Sequence, residues 1–214
     1  MEDQGPRYDR PLISKVYSGL PGYGVDLFVG GREGASDLEL LKTNGITTVV
    51  NCAVNLDFNY VDGVPDQEQQ AVVHGSGAIR YYKLGIVDGP GNPQTMMLAG
   101  YYLLRGALDQ ILPEKASYPM RERGNVLINC RAGRSRSVVL VGLLLHVVAP
   151  EEFPTLDAAL DHVRVQRELR PDEWFETPKP MLVAAARRTV EWIRLIDADI
   201  AAFDANSETK VANG

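Results

Sequence analysis

Cysteine is almost missing from this chain: two in 214 residues, Cys52 and Cys130. A pair cannot build a disulfide framework, so the fold must rest on an apolar core, and a reducing compartment is the expected home. Positive charge is in deficit as well. The formal net charge of −6 leaves no overall basic field to draw the chain onto nucleic acid. Long apolar runs are also missing; the longest is about a dozen residues, short of the ~20 that a membrane-spanning helix needs. The opening "MEDQGPRYDR" lacks the apolar centre of a signal peptide and is too acidic for a transit peptide. A soluble, cytoplasmic, monomeric protein is expected, with no nucleic-acid partner and no stable membrane insertion. His74 and His146 have no cysteine or carboxylate grouping around them, so neither a metal nor a cofactor is expected. His146, inside an apolar stretch, reads as a core histidine with a satisfied hydrogen bond.

What is present is an ordinary globular composition, 45% apolar and 23% charged, in a length that hides roughly 70% of the unfolded surface. Strand-like and helix-like segments alternate, which predicts an α/β domain with a central mixed, largely parallel sheet flanked by helices. "VDLFVG" reads as the first strand. "SDLELLKTNG" reads as a helix, with Ser36 and Glu39 at capping-box spacing and Asn44-Gly45 as its stop. "ITTVVNCA" and "IRYYKLGI" are β-rich, and residues 54–78 read as a long surface loop. "QTMMLAGYYLLRGALDQIL", "TLDAALDHVRVQREL" and "PMLVAAARRTVEWIRLI" read as helices. One domain is expected over residues 22–203, after a lead segment 1–21 and before a flexible tail 204–214.

The chemistry is concentrated in "NVLINCRAGRSRSVVLVGLLLHVVA", residues 125–149, where cationic and polar residues separate an apolar strand from an apolar helix. A short turn of this kind aims successive backbone N–H groups inward as an anion nest: Arg131, Ala132, Gly133, Arg134 and Ser135. The helix starting near Arg136 adds its N-terminal dipole. Gly133 supplies backbone freedom, and the planar fork of Arg136 matches two phosphate oxygens. Cys130 stands at the floor of the turn. Free cysteine titrates near 8.5 and is only a few percent thiolate at neutral pH. Bringing it to about 5.5 takes roughly 4 kcal/mol. A helix terminus supplies at most about 2 kcal/mol, so the remainder must come from the N–H groups, the Ser137 hydroxyl and the charge of Arg136. Cys130 is accordingly the candidate nucleophile.

"CRAGRSRS" fits the Cys-X5-Arg-Ser signature, and the sequence here resembles the cysteine-based protein phosphatases, in particular the dual-specificity branch. "LFVGG", "LLKTNGITTVVNCA" and "YYKLGIVD" are similar to the family's upstream segments, in the same order, so the likeness spans about residues 22–195. The resemblance implies a phosphatase-type fold and a metal-free, two-step hydrolysis in which Cys130 takes up the phosphoryl group and water releases it. Ser137 would assist the departing thiolate, although it also suits a helix cap. The family usually has histidine before the nucleophile; here Asn129 stands there.

The resemblance also calls for an aspartate on an upstream loop. Asp88, in "LGIVDGPGN", is the candidate acid, against a simple role in an Asp-Gly turn; Asp57 and Asp62 are the reserves. The implied substrates are phosphotyrosine and phosphoserine/threonine in proteins. Arg131 and Arg134 resemble the basic loop positions of phosphoinositide phosphatases and of a phosphatidylglycerophosphate phosphatase, so an anionic phospholipid is the alternative partner. A non-catalytic phosphate-binding module is a third reading, weakened because both Cys130 and Arg136 are present. Cys52 is a candidate redox partner for Cys130, or a small core residue. Arg164, Arg167 and Arg170 read as a solvated face or as braces for the loop.

Overall fold

The computed structural model of the chain describes residues 10–61, 72–118 and 121–212. Five strands form one sheet in the order β1-β2-β5-β3-β4. They are β1 (Ile13–Tyr17), β2 (Leu27–Gly30), β3 (Ile46–Ala53), β4 (Arg80–Ile86) and β5 (Asn125–Asn129). β1 runs antiparallel to β2, and the remaining neighbours are parallel, so the sheet is mixed and largely parallel as expected.

Side-chain alternation sorts the strands onto two cores. Leu27, Val29, Val50, Cys52, Val126 and Ile128 face the larger core, which α3 (Met96–Asp109), α4 (Arg136–Val148), α5 (Leu156–Gln166) and α6 (Pro180–Ala212) complete. Phe28, Val49 and Leu127 point the other way, onto α1 (Arg32–Ser36) and α2 (Leu38–Thr43) through Ala35 and Leu41. α4 is buried continuously from Arg136 to His146. Truncating its fully buried Leu140 to alanine is the kind of change that costs about 2–5 kcal/mol. Gly142 lets α5 approach closely: a Cβ there would stand 2.6 Å from Leu160 Cδ2.

Three features differ from the sequence reading. Residues 13–17, placed in the lead segment, form the sheet-edge strand β1, with Ser14 and Val16 buried. One buried apolar residue in five is a weak alternation signal, and the second inward position is a serine because it serves Arg167. The cap of α2 is Asp37, whose carboxylate accepts the Leu40 N–H; Ser36 instead closes α1 and donates to Glu33 O at 3.0 Å. α6 continues to Ala212, through the segment expected as a tail. Asn44 and Gly45 do end α2, with Gly45 at φ +62°. Among the described residues no helix is long and apolar enough to cross a membrane.

The sheet places the site. Gly30, Asn129 and Asn51 lie level across β2, β5 and β3. Cys130 and Cys52 each sit one residue beyond that level, at the carboxyl ends of adjacent parallel strands, where open α/β sheets commonly hold ligands.

Candidate active site

The turn from β5 into α4 is tied down on three sides. Arg32 N–H donates to Arg131 O at 3.0 Å from the start of α1. Arg167, 3% exposed, donates through Nε to Gly133 O at 3.1 Å, and through Nη1 to Pro11 O at 2.6 Å and Ser14 Oγ at 2.9 Å. Its burial, then the nearby Arg10 charge, brings its pKa down to about 10, so it is still a cation at neutral pH. It braces the loop, as one sequence reading had it. On the third side Lys179 N–H donates to Ser135 Oγ at 3.0 Å. Gly133 has φ +64°, and a Cβ there would lie 2.5 Å from the carbonyl of Gly30. Only glycine fits.

Inside the turn the Cys130 sulfur lies 3.4 Å from Ser137 Oγ. Burial by itself pushes this thiol up. The Ser137 hydroxyl, the Ser137 and Arg134 N–H groups and the Arg136 charge together outweigh burial, and the net shift is downward. Arg136 is 3% exposed and its Nη1 is occupied, donating to Ile86 O at 3.2 Å and Asn55 Oδ1 at 3.3 Å. Among the described residues its Nε has no hydrogen-bond partner, and Nη2 faces the Asp88 carboxylate at 3.8 Å. The Nε–Nη2 edge can therefore offer a donor fork to an oxyanion.

Asp88 follows β4 in a turn closed by Asn92. The Asn92 amide accepts from Val87 N–H at 2.8 Å and donates to Val87 O at 2.8 Å and Gly89 O at 3.1 Å. Lys179 Nζ donates to the Asp88 carbonyl at 2.8 Å. Asp57 is exposed and paired with Lys83, away from the sulfur's contacts. Asp62 lies outside the described residues.

Asn129 is fully buried; its amide reaches Cys130 O only at 3.5 Å, and among the described residues its Oδ1 has no hydrogen-bond partner. Cys52 is a free, fully buried thiol whose pKa is raised well above normal, first by burial, then by the neighbouring Cys130, with Arg136 opposing. One sulfur is pushed toward the anion and its neighbour toward the thiol.

The two loop arginines separate. Arg134 Nη2 lies 3.3 Å from Glu173 and 3.8 Å from Glu176, while Arg131 is exposed. Ala132 is exposed and Ser135 buried. His146 bonds Phe153 O through Nδ1 at 2.8 Å, and His74 is exposed. Arg164 ties α5 to Thr177 O at 2.8 Å and Trp174 O at 3.1 Å, and Arg170 pairs with Asp172. Among the described residues no cluster of three or more His, Cys, Asp or Glu could hold a metal.

The sequence reading missed Asn55, Asn92 and Lys179. No motif marks them: each reaches the site through the fold.

No family model matches the chain. Solved structures do. A mouse protein described as a dual specificity phosphatase, complexed with zinc tungstate, matches with TM-score 0.56 and 19% identity over 91% of this chain and 96% of that one. Human DUSP28 matches with TM-score 0.54 and 17% identity over 86% and 96%. A human tyrosine phosphatase-like serine/threonine/tyrosine-interacting protein matches with TM-score 0.53 and 22% identity over 86% and 97%. The fold of this chain is that of the dual-specificity phosphatases.

Proposed function

We propose that the chain hydrolyses phosphoric monoesters, with phosphotyrosine and phosphoserine/threonine in proteins as its substrates, through a phosphocysteine. The observation that carries this reading is the Cys130 sulfur held 3.4 Å from the Ser137 hydroxyl, in the turn that leads into the Arg136 fork. The loop N–H groups from Arg131 to Ser135 and the Arg136 fork take the phosphate oxygens. The Cys130 thiolate forms the S–P bond as the P–O bond to the leaving group breaks, and protonated Asp88 hands its proton to the leaving oxygen. In the second step the Asp88 carboxylate takes a proton from water. The water oxygen bonds to phosphorus, the S–P bond breaks, and the Ser137 hydroxyl donates to the returning thiolate. Inorganic phosphate leaves, and Asp88 is protonated again.

Protein phosphoesters are favoured over multiply anionic lipids because the Glu173–Glu176 pair offsets the charge of Arg134. Once Cys130 is oxidised to a neutral sulfenic acid its charge no longer holds the proton on Cys52, and the Cys52 thiolate can trap it as a disulfide.

The test is phosphate release by wild type and Cys130→Ser on phosphotyrosine and phosphothreonine peptides, phosphoinositides and phosphatidylglycerophosphate. Cys130-dependent release from the peptides is expected. Release confined to lipids would move the substrate class, and release that survives Cys130→Ser would overturn the reading.

A further inference from the structure

We propose that Lys179 is a positioning residue: it pins the proton-donating turn to the phosphate cradle and so sets where the Asp88 carboxyl meets the leaving oxygen. This rests on Asp88 being the proton donor. Lys179 sits in "TPKP", between Pro178 and the Pro180 that opens α6, so its backbone has little freedom. The residues before it are tied down too. Thr177 Oγ1 donates to Glu173 O at 2.6 Å, and Arg164 Nε donates to Thr177 O at 2.8 Å.

From this anchored point Lys179 makes two bonds in two directions. Its N–H reaches Ser135 Oγ in the cradle at 3.0 Å, and its ammonium reaches the Asp88 carbonyl at 2.8 Å. The turn that carries Asp88 is internally closed by Asn92 and runs through Gly89, Pro90 and Gly91, with Gly91 at φ +105°. The Asp88 carboxylate's own contact with Arg136 is long, 3.8 Å, so the place of the turn depends on a hold from outside on its backbone. Lys179 supplies that hold with a charge-assisted bond to the backbone, which leaves the Asp88 carboxylate free to face Arg136 Nη2 at 3.8 Å. Displacing a catalytic group by about 1 Å can cost roughly 100-fold in rate.

The two bonds can be separated experimentally. Lys179→Met removes the ammonium but keeps the N–H that meets Ser135, so the cradle should stay intact. Lys179→Arg restores a cationic donor. Both variants, wild type and Asp88→Asn are assayed on a phosphothreonine peptide and on 4-nitrophenyl phosphate, and the rate of Cys130 alkylation is measured alongside. For Lys179→Met the loss in kcat/KM on the peptide is expected to exceed the loss on the aryl ester by about 10-fold. Lys179→Arg should recover most of that difference, and alkylation should be unchanged. Equal losses on both esters, no loss, no recovery with arginine, or slowed alkylation each overturn the role of Lys179. If Asp88→Asn discriminates between the esters and Lys179→Met does not, only the lysine's role falls. If Asp88→Asn also fails to discriminate, Asp88 is not the donor and the assignment fails at its root.

Discussion

The Ser137 hydroxyl oxygen lies 3.4 Å from the Cys130 sulfur, in the first turn of the helix whose N-terminus faces the same sulfur. With the sulfur ionised, the hydroxyl is the donor, and it helps outweigh the cost of burying a charge where Cys130 is 2% exposed. Removing it acts on both chemical steps. A hydrogen bond to a charged group contributes about 1.5–3 kcal/mol, so Ser137→Ala should raise the Cys130 titration. The thiolate is the active form, so the acidic limb of the kcat/KM profile should move toward higher pH. The phosphocysteine should also accumulate, visible as a burst of leaving group in rapid-mixing kinetics.

Asp88→Asn should lower kcat/KM on a phosphothreonine peptide by about 100-fold or more, the usual range for a lost general acid. The loss on 4-nitrophenyl phosphate should be much smaller, because even unsubstituted phenol, near pKa 10, leaves more easily than an alcohol. Steady-state kinetics on the two esters measures the difference, and equal losses would remove Asp88 from the role.

Gly133→Ala should be among the more damaging single-methyl changes. Its φ of +64° disfavours any side chain, and the added Cβ would lie 2.5 Å from Gly30. A destabilisation of about 1–3 kcal/mol is expected from the backbone strain, with loss of activity as the cradle opens. Urea unfolding and phosphate release measure the two effects.

Folding stability should carry the signature of the buried thiolate. The folded pKa of Cys130 lies below that of a free cysteine, so its contribution is fully present above the unfolded pKa. That contribution fades as pH falls through the folded value. The stability of wild type relative to Cys130→Ser should therefore grow as pH rises toward the free-cysteine value near 8.5, read from urea unfolding at each pH.

Mild peroxide should join Cys52 to Cys130. Peroxide oxidises the Cys130 thiolate to a sulfenic acid; Cys52 then gives up its proton and attacks that sulfur as the thiolate, the S–S bond forms as the S–O bond breaks, and the hydroxide takes up the proton and leaves as water. Mass spectrometry of the digest should find the linked peptides, with activity recovered by dithiothreitol. Over-oxidised Cys130 with no linkage would leave Cys52 as a packing residue.

Much of this architecture was legible in the chain. The near-continuous apolar run "ITTVVNCA" marked β3 at Ile46–Ala53, and the cradle's cysteine, glycine and arginine stand out because polar residues there interrupt two core segments. The parts that were not legible depend on distance in sequence. Lys179 meets Asp88 across 91 residues and Arg167 meets Gly133 across 34, and local periodicity carries no trace of either contact. The fates of Arg131 and Arg134 were equally hidden, since only the fold brings Glu173 and Glu176 alongside one and not the other. Asn129 was visible as a departure from histidine, but that its Oδ1 has no hydrogen-bond partner among the described residues emerges only once its neighbours are in place.

The most direct test of the account is the pH dependence of Cys130 alkylation by iodoacetamide, followed by mass spectrometry. The account predicts a midpoint clearly below that of free cysteine, near 8.5, with protection by inorganic phosphate or tungstate. A midpoint at the free-cysteine value, with no protection by either oxyanion, would contradict it.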